Sequence, residues 1–109
     1  MIRDFFLGFI KIHILYHAAQ EPIYGLHFIH ELDTHGYQLS PGTLYPILHK
    51  LEKQGYLQSQ KKVVDGKVRK YYTATNQGNA ALQEAHSKAR ELLDEISQGE
   101  INTGLNIDS

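Results

Sequence analysis

Apolar positions crowd the start of the chain. Phe5, Phe6, Phe9, Ile10, Ile12, Ile14 and Leu15 lie around most of the circumference of a helix over residues 5–19. One small core needs only a stripe, so the excess predicts a second surface covered by another chain. Glu21-Pro22 ends this helix, and a second is predicted from about Tyr24 to His35, with Leu26, Phe28, Ile29 and Leu32 turned inward and Gly36 as its stop. A third begins at Ser40-Pro41, where serine can accept from the free amides of the first turn and proline lacks only a donor that turn does not need. It runs to about Gln54, ahead of Gly55.

The pattern then changes period. Tyr56 to Val64 and Lys67 to Thr73 are rich in β-branched and aromatic residues around Asp65-Gly66, a pair that favours a type I′ turn, which predicts a two-stranded hairpin. From Asn76 to about Gln98 the residues Leu82, Ala85, Ala89, Leu92 and Ile96 recur at steps of three and four, the seam of a coiled-coil helix. Residues 99–109 show no periodicity and are expected to form a flexible tail. The fold class is mainly α (α+β), in the order of a winged helix-turn-helix with N-terminal and C-terminal dimerisation helices. Residues 1–75 would be the winged-helix domain, 76–98 the C-terminal dimerisation helix and 99–109 the tail.

Length and charge narrow the function. The 109 residues fit one compact domain. With 41% apolar and 21% charged residues the chain is too hydrophobic for a disordered segment. A formal net charge of −1 rules out a uniformly basic coat for nucleic acid, so an electrostatic partner must meet a local patch. The absence of cysteine removes thiolate catalysis and cysteine-based metal sites. Arg3 ahead of the first apolar run and Ala18-Ala19 after it resemble a secretion signal, but Lys11, His13 and His17 interrupt the run. A buried helix of a cytoplasmic protein with no membrane partner is expected.

The third helix has two contrasting faces. Leu44, Ile47, Leu48 and Leu51 form one apolar stripe, whereas Gly42, Pro46, His49 and Lys53 stack opposite, flanked by Thr43, Tyr45 and Lys50. An interior proline costs about 3 kcal/mol and a glycine about 1 kcal/mol relative to alanine. Such an expensive outer face suits close docking on a sugar-phosphate wall or thymine methyls, with a 3₁₀ start relieving part of the cost. The hairpin adds charge: Lys61, Lys62, Lys67, Arg69 and Lys70 against Asp65 give +4 between residues 61 and 70. That concentration fits a polyanion, with the lysines on phosphates and Arg69 in a narrow minor groove.

The strings Tyr24-Gly25, Ser40-Pro41-Gly42-Thr43-Leu44-Tyr45-Pro46, Leu48, Leu51, Gly55, Arg69-Lys70-Tyr71-Tyr72, Thr75 and Gly78 resemble the PadR-like transcriptional regulators over about residues 7–85. The resemblance implies a homodimer that binds double-stranded DNA and represses a nearby gene until a small-molecule effector releases it. It implies that Ser40, Gly42, Thr43, Tyr45 and Pro46 lie at the DNA, with Tyr24 and Gly25 near a phosphate; Pro41, His49, Lys50 and Lys53 are expected to extend the same face. The chain is similar to the short branch of the family, with one helix after the wing. Some short members bind flat aromatic compounds with the help of a tryptophan in the last helix, and no tryptophan is present here.

Phe5, Phe6, Phe9 and Ile10 of the first helix and Leu82, Ala85, Ala89, Leu92, Leu93 and Ile96 of the last are the expected dimerisation residues, and a gap at Ala85 and Ala89 would be a natural effector pocket. There is no glycine-rich phosphate loop and no acidic pair at hydrolytic spacing, so no enzyme activity, catalytic residue or cofactor is expected. Seven histidines include His13/His17 and His27/His30 at helical spacing, but no acid completes either pair locally, and no metal ligand is assigned. The rival readings are a metal-responsive sensor built on those pairs and a winged-helix protein-interaction module.

Overall fold

The computed structural model describes residues 2–103, with side chains over 4–99. Its elements are α1 (Ile2–Gln20), β1 (Ile23–Tyr24), α2 (Gly25–Thr34), α3 (Pro41–Lys53), β2 (Leu57–Val64), β3 (Lys67–Ala74) and α4 (Asn76–Thr103). The mainly α (α+β) class and the winged-helix order agree with the sequence pattern. The sheet is antiparallel in the order β1-β3-β2, with Ile23 opposite Tyr72, Leu57 opposite Ala74 and Val64 opposite Lys67. Asp65 and Gly66 both take positive φ, 53° and 75°, as the type I′ turn requires.

The core gathers one stripe from each element. Ile10, Ile14, Leu15 and Ala18 of α1 meet Ile23, Phe28, Leu32, Leu57 and Tyr72, while Leu44, Leu48 and Leu51 of α3 fill the centre at helical spacing. α4 lies against α1 and β3 through its first turns, where Ala81 and Leu82 pack on the core. Thr75 ties the sheet exit to the end of α3: its hydroxyl donates to the Gly55 carbonyl at 2.6 Å and accepts from the Gly78 amide at 3.0 Å.

Several expectations need correction. β1 was not anticipated, so α2 begins at Gly25 rather than Tyr24. Leu26 is 54% exposed instead of inward. Ile10 belongs to the core and is not available to a second chain. Ser40 occupies the N-cap of α3, but its hydroxyl makes no cap hydrogen bond and donates instead to Thr43 Oγ1 at 3.3 Å. α4 continues through Thr103, so residues 99–103 are helix rather than tail, and 104–109 lie outside the described residues. Among the described residues, no helix is long and apolar enough to cross a membrane.

Candidate nucleic-acid interface

Burying Leu44, Leu48 and Leu51 turns the other side of α3 to solvent. Pro41, Gly42, Tyr45, Pro46, His49, Lys50 and Lys53 are all exposed, as is Ser40, and Thr43 is half-buried at the edge. The Ser40 carbonyl accepts from both the Thr43 and Leu44 amides at 3.0 Å, so the helix opens with a mixed 3₁₀ and α turn. Pro46 follows within the helix, where it has no amide to donate to the Gly42 carbonyl. Pro46, His49, Lys50, Lys53 and Gln54 line an open groove along the outer face.

The wing faces the same side through a cleft of about 370 Å³ lined by Tyr24, Gly25, Leu26, Tyr45, Lys67, Val68, Arg69 and Lys70. Five residues singled out from sequence on three separate elements therefore meet: Tyr24, Tyr45, Lys67, Arg69 and Lys70. Gly25 meets them differently, since it is buried beneath the Tyr45 ring. The absence of a side chain there gives room to the Tyr45 ring. Leu26, missed because helical periodicity places it near the apolar side of α2, completes the floor of the cleft.

The cations of the wing divide into two groups. Lys61, Lys62 and Lys67 are exposed. Arg69 instead lies over the Tyr24 ring, 4.5 Å from its centroid, held by cation–π attraction at the wall of the cleft rather than reaching from the tip. Lys70 Nζ is 3.3 Å from Glu52 Oε1, so its charge is largely balanced within the molecule and it anchors the wing to α3. Burial opposes the Lys70 charge, but Tyr72 and Glu52 outweigh it and raise its pKa. Glu52 also accepts a 2.5 Å hydrogen bond from the Ser59 hydroxyl, which with Lys70 and His49 holds its pKa below the ordinary value. Tyr72, buried beneath, has its pKa raised chiefly by desolvation. Cross-strand partners Val63 and Val68 stand 71% and 67% exposed at the wing tip, an apolar pair that the charge pattern hid.

The deciding observation is the match of residues 14–84, the span holding this helix, cleft and wing, to the PadR-like family of transcriptional regulators. The chain belongs to that family. It is 45% identical over 105 residues to the transcriptional regulator Rv3488 of Mycobacterium tuberculosis, covering 96% of this chain and 98% of the relative. A PadR family regulator from Eggerthella lenta superposes with a TM-score of 0.77 at 32% identity, over 90% of this chain and 87% of the other. A PadR-like regulator from Bacillus cereus gives 0.79 at 28%, over 87% and 94%.

Elsewhere on this PadR-like chain, the expected dimerisation residues separate. Phe5, Phe9, Ala89, Leu92, Leu93 and Ile96 are exposed, Phe6 is half-buried against Tyr37, and Leu82 and Ala85 are half-buried, Leu82 packing on the chain's own core. The histidine pairs also rearrange. His27 does have a local acid, Glu31, at 3.5 Å, and His30 is exposed. His13 and His17 are joined by His35, which lies at the C-cap of α2, outside any helical pair.

Proposed function

We propose that this PadR-like regulator is a sequence-specific DNA-binding repressor that acts in the cytoplasm as a homodimer and is released by a small-molecule effector. The observation that carries the reading is the exposed outer face of α3, where Gly42, Tyr45, Pro46 and His49 stand at a cost to helix stability beside a cationic wing. The helix enters the major groove, with Ser40, Pro41, Thr43, Lys50 and Lys53 along its margins. Lys61, Lys62 and Lys67 meet phosphates and Val63 and Val68 touch sugar beside them. Tyr24, its ring beneath Arg69, meets a DNA phosphate beside the start of α2. Homodimerisation is supported by the exposed apolar residues of α1 and α4, and two copies would read half-sites about one DNA turn apart. The effector would enter at Ala85 and Ala89, where small side chains leave space between subunits.

Gel-shift titration on random duplex at two salt concentrations tests the reading. Binding whose logarithm falls steeply with the logarithm of salt, about 0.9 for each phosphate neutralised, is expected. No binding at low salt would overturn it in favour of a protein partner.

A further inference from the structure

Two side chains on successive turns of α1 meet a third from the far end of α2. Ligand nitrogens of His13, His17 and His35 all lie within 4.8 Å of one another. The His13 and His35 rings stack with centroids 4.3 Å apart, and the His17 ring lies 6.4 Å from each. No hydrogen bond holds the group together. His17 Nε2 is buried without a hydrogen-bond partner, and Glu31 Oε2, at 3.8 Å, is too far to supply one. Leaving a buried imidazole nitrogen unsatisfied costs on the order of 1–3 kcal/mol, and ring stacking supplies it no hydrogen-bond partner.

We infer that His13, His17 and His35 form a binding site for a first-row divalent transition cation such as Zn²⁺, Co²⁺ or Ni²⁺, closed by Glu31 or water at the fourth position. Imidazole ligands select these ions over Mg²⁺ and Ca²⁺, which require oxygen. A tetrahedral ion with metal–nitrogen bonds of about 2.0–2.1 Å needs its ligand atoms about 3.3 Å apart. Closing from within 4.8 Å to that spacing takes rotations of the three side chains, with most room at His35, which is exposed while His13 and His17 are half-buried. The orphaned nitrogen of His17 gains a ligand, and Glu31, already beside His17 and His27, supplies negative charge at the site. The ion would fasten α1, with its exposed Phe5 and Phe9, to the end of α2.

The test uses the full untagged chain, stripped with chelator, and reads metal uptake by the protein alone, so it succeeds or fails independently of DNA binding. Zn²⁺ titrated by calorimetry should bind at one ion per chain, and Co²⁺ should give the intense visible bands of a four-coordinate nitrogen and oxygen site. His35→Ala, at an exposed position that the fold tolerates, should weaken affinity by about tenfold or more, and His13→Gln likewise. His30→Ala and His86→Ala, both at exposed positions, should leave it unchanged. Failure of the wild-type chain to take up either ion overturns the proposal. So does equal uptake by the His35→Ala variant, which would put the ion elsewhere.

Discussion

The phenol of Tyr45 occupies the space that a Cβ on Gly25 would need: Tyr45 Cε1 and Cζ lie 2.7 Å from that position, and the hydroxyl oxygen is closer still. A residue facing the proposed groove is thus seated on the first turn of the preceding helix, and glycine there sets how deep it sits. Gly25→Ala should displace Tyr45 and cost about 1–3 kcal/mol by overpacking. In a Tyr45→Ala background the same change should cost no more than about 0.5 kcal/mol, because the obstructing ring is gone. Urea denaturation of the two single variants and the double variant checks this, and additive losses would refute the contact.

Specificity and affinity should separate between helix and wing. Tyr45→Ala should lower the ratio of selected-operator to random-duplex affinity by about 1–3 kcal/mol. Lys62→Ala should weaken both alike and reduce the salt slope by about 1. Lys70→Ala should change the salt slope less than Lys62→Ala, since Glu52 already sits 3.3 Å from the Lys70 ammonium. Equal slopes for the two lysine variants would show that Lys70 also faces phosphate.

The Ser59–Glu52–Lys70 group makes stability depend on acid. The Ser59 hydroxyl first, then Lys70 and His49, hold the folded-state pKa of Glu52 below its ordinary 4.5. The stabilisation is therefore present above that value and is lost as pH falls through the lower folded-state value. Both side chains of the ion pair are about one-third exposed, at 31% and 34%, so solvent screening keeps the contribution small. Glu52→Gln should cost about 0.5–1 kcal/mol at pH 7, and the difference should vanish at about pH 2. Chemical denaturation at the two pH values measures it; a difference that persists in acid would assign the loss to packing.

The elements legible in the sequence were those whose punctuation and period agree. α3 carries proline at its first position, leucines at helical spacing and glycine beyond its end, and the hairpin has Asp65-Gly66 at its turn. β1 was hidden because two residues, Ile23 and Tyr24, cannot show a period; only pairing with Tyr72 and Tyr71 makes them a strand. Leu26 misled because periodicity gives the spacing of a stripe, not how far neighbouring elements cover its edge. Gly25 and His35 act through contacts with residues distant along the chain, Tyr45 for the one and His13 for the other. The cations of the wing were visible, but the partition between the exposed Lys62 and the paired Lys70 depends on which sheet face meets α3.

Residue Ile10 separates the proposed dimer surface from the core beside it. Phe5 is 74% exposed and Leu93 62%, whereas Ile10 is 3% exposed and packs with the core. Each large apolar side chain moved from water into an interface contributes about 1.5–3 kcal/mol, so several per subunit, doubled by two-fold symmetry, suffice to hold a dimer. A glutamate at Phe9 or Leu93 would place unpaired charge in that interface. Phe9→Glu and Leu93→Glu should therefore yield folded monomers by sedimentation, with weakened operator binding and urea unfolding no longer dependent on protein concentration. Ile10→Ala should instead lower the stability of the domain itself by about 2–5 kcal/mol, through the cavity it leaves. If both glutamate variants sediment as the wild-type chain does, dimerisation through α1 and α4 is ruled out.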